Sequence, residues 1–198
     1  MQKWGIIGGT FDPIHFAHIH IAEEAKRILN LDKVIFMIAG SPPHKIEKRI
    51  TEASLRFKMV SKALEGKKGL EASDYEIKKN GLSYTYETLE YLKRDDVELF
   101  FITGADCLIN LESWKNVNKI FEYANFVVFK RPGFSKDELI CKKIAAEKKY
   151  NEEIIFLDID EIDESSTNVR YMIKNGMDVS NLIPKEVERI IKEEGLYI

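Results

Sequence analysis

Residues 3–38 read KWGIIGGTFDPIHFAHIHIAEEAKRILNLDKVIFMI, and their pattern indicates the fold of the whole chain. A short apolar run, Lys3–Ile7, ends at two glycines, and a second apolar run, Lys33–Ile38, follows an amphipathic stretch. In that stretch apolar residues recur at helical spacing from Ala17 to Leu29. The pattern predicts a buried strand, a helix that begins near Phe16, and a second buried strand.

The same alternation continues along the rest of the chain. Four further strands are predicted, at Leu70–Ser73, Val97–Thr103, Asn125–Lys130 and Glu153–Leu157. Apolar strands that alternate with amphipathic helices are typical of a Rossmann-like α/β fold, a doubly wound parallel sheet with helices on both faces. The segment from about residue 165 to residue 198 predicts two C-terminal helices. A length of 198 residues predicts a single domain over residues 1–198, which includes this C-terminal helical segment.

Composition and charge exclude several classes of protein. Residues are 44% hydrophobic and 32% charged, and the formal net charge is −3, which gives no broad basic surface for a nucleic-acid backbone. No apolar run approaches the roughly 18 residues that span a bilayer, and the N-terminal residues lack the pattern of a signal peptide. Two cysteines cannot form a disulfide framework. We expect a cytoplasmic protein that binds neither membrane nor nucleic acid, and the sequence leaves a homo-oligomer open.

The absent motifs narrow the choice of chemistry. The sequence contains no G-x-x-x-x-G-K-[ST] loop, no G-x-G-x-x-G after the first strand, no G-x-S-x-G and no C-x-x-C. Walker-type NTPases, oxidoreductases that bind a dinucleotide cofactor and serine hydrolases are therefore disfavoured.

A glycine turn and two histidines indicate a phosphate-binding site. Gly8-Gly9-Thr10 leads into the first predicted helix, where backbone can approach a ligand closely and free N–H groups favour an anion by 0.3 to about 2 kcal/mol. His15 and His18 are three residues apart, so both side chains can face this turn. The alternative is an ordinary strand-to-helix turn with surface histidines.

The third histidine and a zinc site carry less weight in the sequence. His20 lacks the same spacing relation to the turn, and we assign it no role. A zinc site needs three or four ligands, and the nearest acids, Asp12, Glu23 and Glu24, show no ligand-type spacing. We therefore predict no metal site built by the protein alone.

The sequence of residues 8–18, GGTFDPIHFAH, resembles the [HT]-x-G-H signature of nucleotidyltransferases. In its longer form it resembles bacterial nicotinate-nucleotide adenylyltransferases. The resemblance continues in chain order through AGSPPHK (39–45), LRFKMV (55–60), SYTYETL (83–89), FFITGADCL (100–108), Trp114, FVVFKRPG (126–133), SSTNVR (165–170) and LIPKEV (182–187). It implies transfer of AMP from ATP to the phosphate of nicotinate mononucleotide, giving deamido-NAD and pyrophosphate, with Mg²⁺ carried in by the ATP. Such a reaction needs placement and counter-charge, because the attacking phosphate oxygen is already ionised.

The resemblance also implies a set of site residues. Catalytic roles fall to His15, His18 and Arg170, with His18 nearest the transferring phosphorus. ATP-binding roles fall to Gly8, Gly9, Thr10, Phe11, Gly104, Asp106, Ser166, Thr167 and Arg170. Roles in binding the mononucleotide fall to Thr10, His44, Lys45, Thr85 and Trp114. From the residues alone, an ordinary helix cap is the favoured interpretation of Ser-Ser-Thr, and a surface charge that of Arg170.

Two positions depart from the family pattern, and two other functions stay open. Ala17 replaces the signature glycine, and Glu164 stands where the family usually has an apolar residue. A phosphopantetheine adenylyltransferase shares the histidine signature, but it is shorter and lacks the SYT motif and the tryptophan. A nucleotide-sensing protein without turnover is the second alternative, and only Ala17 favours it. Because a polar site rejects a ligand that leaves its groups unpaired, we expect the acid to be preferred over the amide by at least about tenfold.

Overall fold

The computed structural model describes residues 1–41, 50–79, 81–130, 133, 135–159 and 164–198. Its strands are β1 (Gln2–Gly9), β2 (Lys33–Ile38), β3 (Leu70–Ser73), β4 (Val97–Gly104), β5 (Asn125–Phe129) and β6 (Ile154–Leu157). Its helices are α1 (Phe16–Ile28), α2 (Ala53–Leu64), α3 (Tyr75–Lys78), α4 (Thr85–Leu92), α5 (Ala105–Ile109), α6 (Val117–Tyr123), α7 (Lys136–Tyr150), α8 (Ser166–Lys174) and α9 (Lys185–Glu193). Over these ranges, no helix combines the length and the apolar character needed to cross a membrane.

The strands form one sheet in the order β3-β2-β1-β4-β5-β6, and each neighbouring pair is parallel. This order is that of the doubly wound Rossmann fold, so the predicted fold class is confirmed. The chain reverses its direction of travel across the sheet between β1 and β4, which lie side by side. Ligands of such sheets bind beyond the carboxyl ends of the strands at this switch point.

Two apolar layers cover the two faces of the sheet. The layer on one face includes Val60 of α2, Val169 of α8 and Ile190 of α9, whereas the other includes Leu89 of α4 and Ile120 of α6. Each of these side chains is at most 1% exposed. The C-terminal helices therefore pack on the sheet and bring α8 to its carboxyl edge.

Apolar residues at helical spacing from Leu139 to Ala145 predict a helix there, and its apolar face is only partly buried. Leu139 is 3% exposed, but Ile140 and Ile144, which share its helical spacing, are 38% and 59% exposed. The helix itself is confirmed at Lys136–Tyr150. It precedes β6, the edge strand of the sheet, and only a narrow stripe of the helix meets the core.

The turn after β1 lies later in the chain than the glycines suggested. Gly8 and Gly9 belong to the strand, because they pair with Met37 and Ile38 of β2. The chain reverses at Phe11, which has a φ of 49°. A Cβ atom on Gly9 would lie 2.8 Å from the Phe11 ring, so this glycine is needed for the close contact of the ring with the strand.

Candidate active site

A cavity of about 360 Å³ opens at the carboxyl ends of β1 and β4. Its walls come from the end of β1 with the following loop, the first turn of α1, the ends of β4 and β5, the start of α5 and the start of α8, together with Ile50 before α2. The structure brings together here the predicted residues Gly8, Gly9, Thr10, Phe11, His15, His18, Gly104, Asp106, Ser166, Thr167 and Arg170. Residues remote in sequence thus share one site because the parallel strands end at one edge.

The two histidines form a stacked pair at the start of α1. Their ring centroids are 3.7 Å apart with an angle of 27° between the planes, and the edge of the Phe11 ring contacts His18 at 5.0 Å between centroids. The backbone N–H of His15, the N-cap residue, donates to His18 Nδ1 at 3.4 Å. Because Nδ1 accepts, the proton of the neutral His18 ring lies on Nε2, which can donate to an anion.

A buried arginine that the sequence did not single out holds the loop after β1. Arg56 of α2 is 1% exposed. Its guanidinium donates to the carbonyl oxygens of Thr10 at 2.7 Å, Ala39 at 2.8 Å and Thr51 at 2.8 Å. Burial lowers the pKa of Arg56, and the nearby Asp12 carboxylate opposes this shift. A charged residue in an amphipathic helix is usually solvated, so only the tertiary contacts identify its role.

The first turn of α8 is attached to the same loop. Ser165 caps the helix by accepting from the Asn168 N–H at 3.1 Å. The Ser166 hydroxyl donates to the Pro13 carbonyl at 2.9 Å, and Arg170 Nη1 donates to the Asp12 carbonyl at 2.7 Å. A helix N-terminus, a hydroxyl and a guanidinium therefore border the same cavity as the histidines.

Glu164 lies at the entry to α8 and also lines the cavity. Its Oε1 atom accepts from the backbone N–H of Ser165 at 2.8 Å. The departure from the family pattern at this position therefore adds a local hydrogen bond at the start of the helix.

The second strand end contributes the start of α5. Gly104 is the N-cap of this helix, and Asp106 lies in its first turn. The Cys107 thiol lies 3.9 Å from Asp106 Oδ2 and also lines the cavity. Cys107, Asp12, Ile50 and Phe129 are lining residues that sequence reasoning missed. Their only sequence signal is that they lie close to the ends of predicted strands or of recognised motifs.

Thr85 and Trp114 do not line this cavity. Trp114 contacts Phe101 edge to face at 6.0 Å between centroids, and the Phe101 ring would lie 3.7 Å from a Cβ atom on Gly8. Thr85 is the first residue of α4. Lys115 Nζ lies 4.3 Å from the ring centroid of Tyr84, so the Trp114 segment and the start of α4 are neighbours. His44 and Lys45 lie outside the described residues.

Side-chain hydrogen bonds fasten the start of α4 to the segment after β2. Ser83 Oγ accepts from the N–H groups of Gly40 at 3.1 Å and Ser41 at 3.4 Å. Below this contact, the buried Glu76 accepts from the Thr88 hydroxyl at 2.5 Å. Burial raises the pKa of Glu76, while hydrogen bonds from Thr88 and Ser83 partly offset that rise. The two segments therefore form one wall next to β1.

Over the part of the chain that the structure describes, no three His, Cys, Asp or Glu side chains are grouped so that they could hold a metal ion. His20 is on α1 with the histidine pair but is not among the described residues that line the cavity.

Comparison with known proteins agrees with this architecture. The sequence model of the Cytidylyltransferase-like family matches residues 6–172. A probable nicotinate-nucleotide adenylyltransferase of Clostridium botulinum (strain Eklund 17B / Type B) is 53% identical over 197 residues, which cover 100% of this chain and 98% of the relative. A protein of the same description from Clostridium novyi (strain NT) is 51% identical over 199 residues, with 100% of both chains covered.

Solved structures show the same fold. The Plasmodium falciparum nicotinic acid mononucleotide adenylyltransferase complexed with NaAD superposes with a TM-score of 0.78 at 18% identity, covering 100% of this chain and 98% of that chain. The same enzyme complexed with APC gives a TM-score of 0.76 at 17% identity, with the same coverage. The family model over residues 6–172 and the relatives that are about half identical over their full length decide the family. The chain belongs to the cytidylyltransferase-like family and, within it, to the nicotinate-nucleotide adenylyltransferases.

Proposed function

We propose that this protein transfers AMP from ATP to nicotinate mononucleotide. A phosphate oxygen of the mononucleotide forms a bond to the α-phosphorus of ATP, the bond from that phosphorus to the β-phosphate oxygen breaks, and pyrophosphate leaves. The observation that carries this proposal is the convergence of the stacked histidines, the start of α8 and Arg170 on one cavity at the switch point of the sheet. Donors from both sides of the cavity can contact one chain of phosphates.

The cavity offers separate places for the parts of ATP. His15, His18 and the N-terminus of α8 with Ser166, Thr167 and Arg170 would hold the triphosphate, since all are donors or favour an anion. Gly104 and Asp106, at the end of β4, would hold the adenosine, with the carboxylate accepting from ribose hydroxyls. The two substrates would then meet at Gly8 and Gly9, which end β1, and at Thr10 and Phe11, which follow them.

The chemistry requires donors more than a base. A phosphate monoester is already ionised at neutral pH, so no side chain has to remove a proton from the nucleophile. The charge that develops on the leaving pyrophosphate is what the protein must stabilise. His18, with its donor on Nε2, and Arg170 are suited to this task. Removal of one such donor typically costs about 2.7–4 kcal/mol of transition-state stabilisation.

We expect ATP to enter as its magnesium complex. The triphosphate oxygens then supply ligands for the ion, as is usual for Mg²⁺ in sites of this kind. The ion neutralises part of the phosphate charge, and the protein supplies the remaining donors.

The mononucleotide would lie on the Phe101 side of Gly8. There Trp114 would stack on the pyridine ring, while Thr10 would contact its phosphate. The backbone N–H groups at the start of α4, with Thr85, would hold the ring carboxylate, because a helix N-terminus favours an anion. By resemblance, His44 and Lys45 would also contact the mononucleotide, although they lie outside the described residues.

The test of this function is a comparison of acceptors with MgATP. Nicotinate mononucleotide, nicotinamide mononucleotide and phosphopantetheine are each supplied, and pyrophosphate release and the adenylylated product are measured. We expect deamido-NAD from the acid, with kcat/KM at least about tenfold above that of the amide, because the amide leaves polar groups of the site unpaired. Equal use of acid and amide would contradict the specificity. Turnover of phosphopantetheine alone would indicate the related enzyme, and no pyrophosphate release would indicate a sensor.

A matched pair of variants tests the histidine role. His18→Ala is expected to lower kcat by about 100-fold or more while KM changes little, which is the effect of losing one donor to the transition state. His20→Ala, on the same helix but not among the described lining residues, is expected to behave like the wild type. Equal loss in both variants would contradict the assignment, because it would indicate damage to α1 and not to the site.

A further inference from the structure

The last residues of the chain contact the loop that carries the site. The Tyr197 hydroxyl donates to Asp12 Oδ1 at 2.6 Å, and the Thr51 N–H donates to Asp12 Oδ2 at 3.3 Å. Asp12 is 6% exposed, so both oxygens of a nearly buried carboxylate are engaged by residues far away in sequence. Tyr197 has a φ of 66°, a conformation that tyrosine rarely adopts. Its hydroxyl reaches Asp12 from this strained backbone.

Asp12 connects this contact to Arg170. The main-chain carbonyl of Asp12 accepts from Arg170 Nη1 at 2.7 Å, and the next carbonyl, that of Pro13, accepts from Ser166. Tyr197 and Thr51 thus hold the side chain of Asp12 by hydrogen bonds, while Arg170 of α8 holds its backbone carbonyl. Movement of the Asp12 side chain would be passed to the peptide that holds Arg170.

Arg170 lies between two cavities. Together with Asp12 it lines the active-site cavity of about 360 Å³ and also a second cavity of about 680 Å³ behind it. The rear cavity is bordered by Tyr171 and Lys174 of α8 and by the C-terminal residues, Tyr197 included. A guanidinium fits within that volume. The shorter of the two hydrogen bonds that hold Arg170 at the front cavity is the one to the Asp12 carbonyl, at 2.7 Å, and the other joins Arg170 Nη2 to Thr167 Oγ1 at 3.3 Å.

The geometry points to Tyr197 as a positioning residue of the adenylyl transfer. Its hydroxyl fixes Asp12, and Asp12 fixes Arg170 in the orientation that meets the triphosphate. This inference rests on the proposed function, because it gives Arg170 its role at the phosphates. Tyr197 is not among the described residues that line the front cavity, so it acts on the reaction only through Asp12 and Arg170.

The chemistry of the hydroxyl suits this task. Burial raises the pKa of Tyr197, and the hydrogen bond to Asp12 raises it further. The phenol therefore stays protonated and donates throughout the neutral range. A donor to a buried carboxylate forms a stronger hydrogen bond than one between neutral groups.

Tyr197→Phe removes only the hydroxyl and keeps the ring. With nicotinate mononucleotide and MgATP, we expect kcat to fall about tenfold, less than the roughly 100-fold that a 1 Å misplacement can cause. KM for the mononucleotide should stay within about twofold, since its subsite lies on the other side of Gly8. Two controls should retain wild-type rates: Tyr171→Phe, a 59% exposed tyrosine of the same rear cavity, and deletion of the 88% exposed Ile198. Circular dichroism confirms that every variant is folded at the assay temperature.

A double-mutant cycle separates positioning from general stability. In an Arg170→Ala background, Tyr197→Phe should change kcat by less than about twofold, because the hydroxyl acts through Arg170. The same tenfold loss in both backgrounds would overturn the inference, and so would wild-type kcat in the single variant. If the wild type forms no deamido-NAD, the proposed function fails. If the wild type turns over and Tyr197→Phe matches its controls, only this inference fails.

Discussion

Arg56→Lys is predicted to destabilise the protein although it keeps the charge. The guanidinium makes three hydrogen bonds to the carbonyl oxygens of Thr10, Ala39 and Thr51, at 2.7–2.8 Å. An ammonium group cannot reproduce this fork, so at least two carbonyl oxygens lose their donor. At about 1.5 kcal/mol for each hydrogen bond to a charged group, the loss is about 3 kcal/mol. For a chain of this length, that lowers the unfolding midpoint by roughly 6–12 °C.

Urea unfolding followed by circular dichroism provides the measurement. We expect a lower midpoint at an unchanged slope, since the surface exposed on unfolding is the same. The matched control is Arg189→Lys on α9, whose side chain is 57% exposed and forms ion pairs with Glu186 and Glu193. That variant should change the free energy of unfolding by less than about 1 kcal/mol. A loss below about 1 kcal/mol for Arg56→Lys would refute the reasoning, because the three contacts would then contribute no more than a surface ion pair.

Three further predictions concern Glu76, Gly40 and Trp114. Burial raises the folded-state pKa of Glu76, so the folded state binds this proton more tightly than the unfolded chain does. The wild type should therefore lose stability, relative to Glu76→Gln, as the pH rises from 4.5 through the raised pKa. Urea titrations of both proteins across that range test this, and parallel stability curves would contradict it. Gly40→Ala places a Cβ atom 2.2 Å from the Glu76 carbonyl oxygen and should cost about 1–3 kcal/mol, measured by thermal unfolding; an unchanged midpoint would count against the contact. Trp114→Ala should raise KM for the mononucleotide at least about tenfold while KM for ATP stays constant in steady-state kinetics, and equal rises would argue against stacking.

Local patterns in the sequence were sufficient for the fold. Strand periods, helix periods and the alternation between them predicted all six strands of the sheet, and β2 and β3 agree residue for residue. These features follow from the backbone periods of strand and helix, which act over a few residues. The resemblance at residues 8–18 also indicated the two site histidines from local sequence, because the signature lies at the start of the first helix.

Contacts between distant segments decided what the sequence pattern left open. From the sequence, Arg56 is expected to be a solvated charge on α2, and Tyr197 has no expected role. In the folded structure both side chains contact the loop after β1. The reversal at Phe11, beyond the glycines, likewise depends on pairing between β1 and β2. Local propensity extends over a few residues, whereas the burial of a charge or hydroxyl depends on which segments meet at the edge of the sheet. The sequence therefore determined the strands of the sheet and the signature, and the tertiary structure determined which side chains hold the site in place.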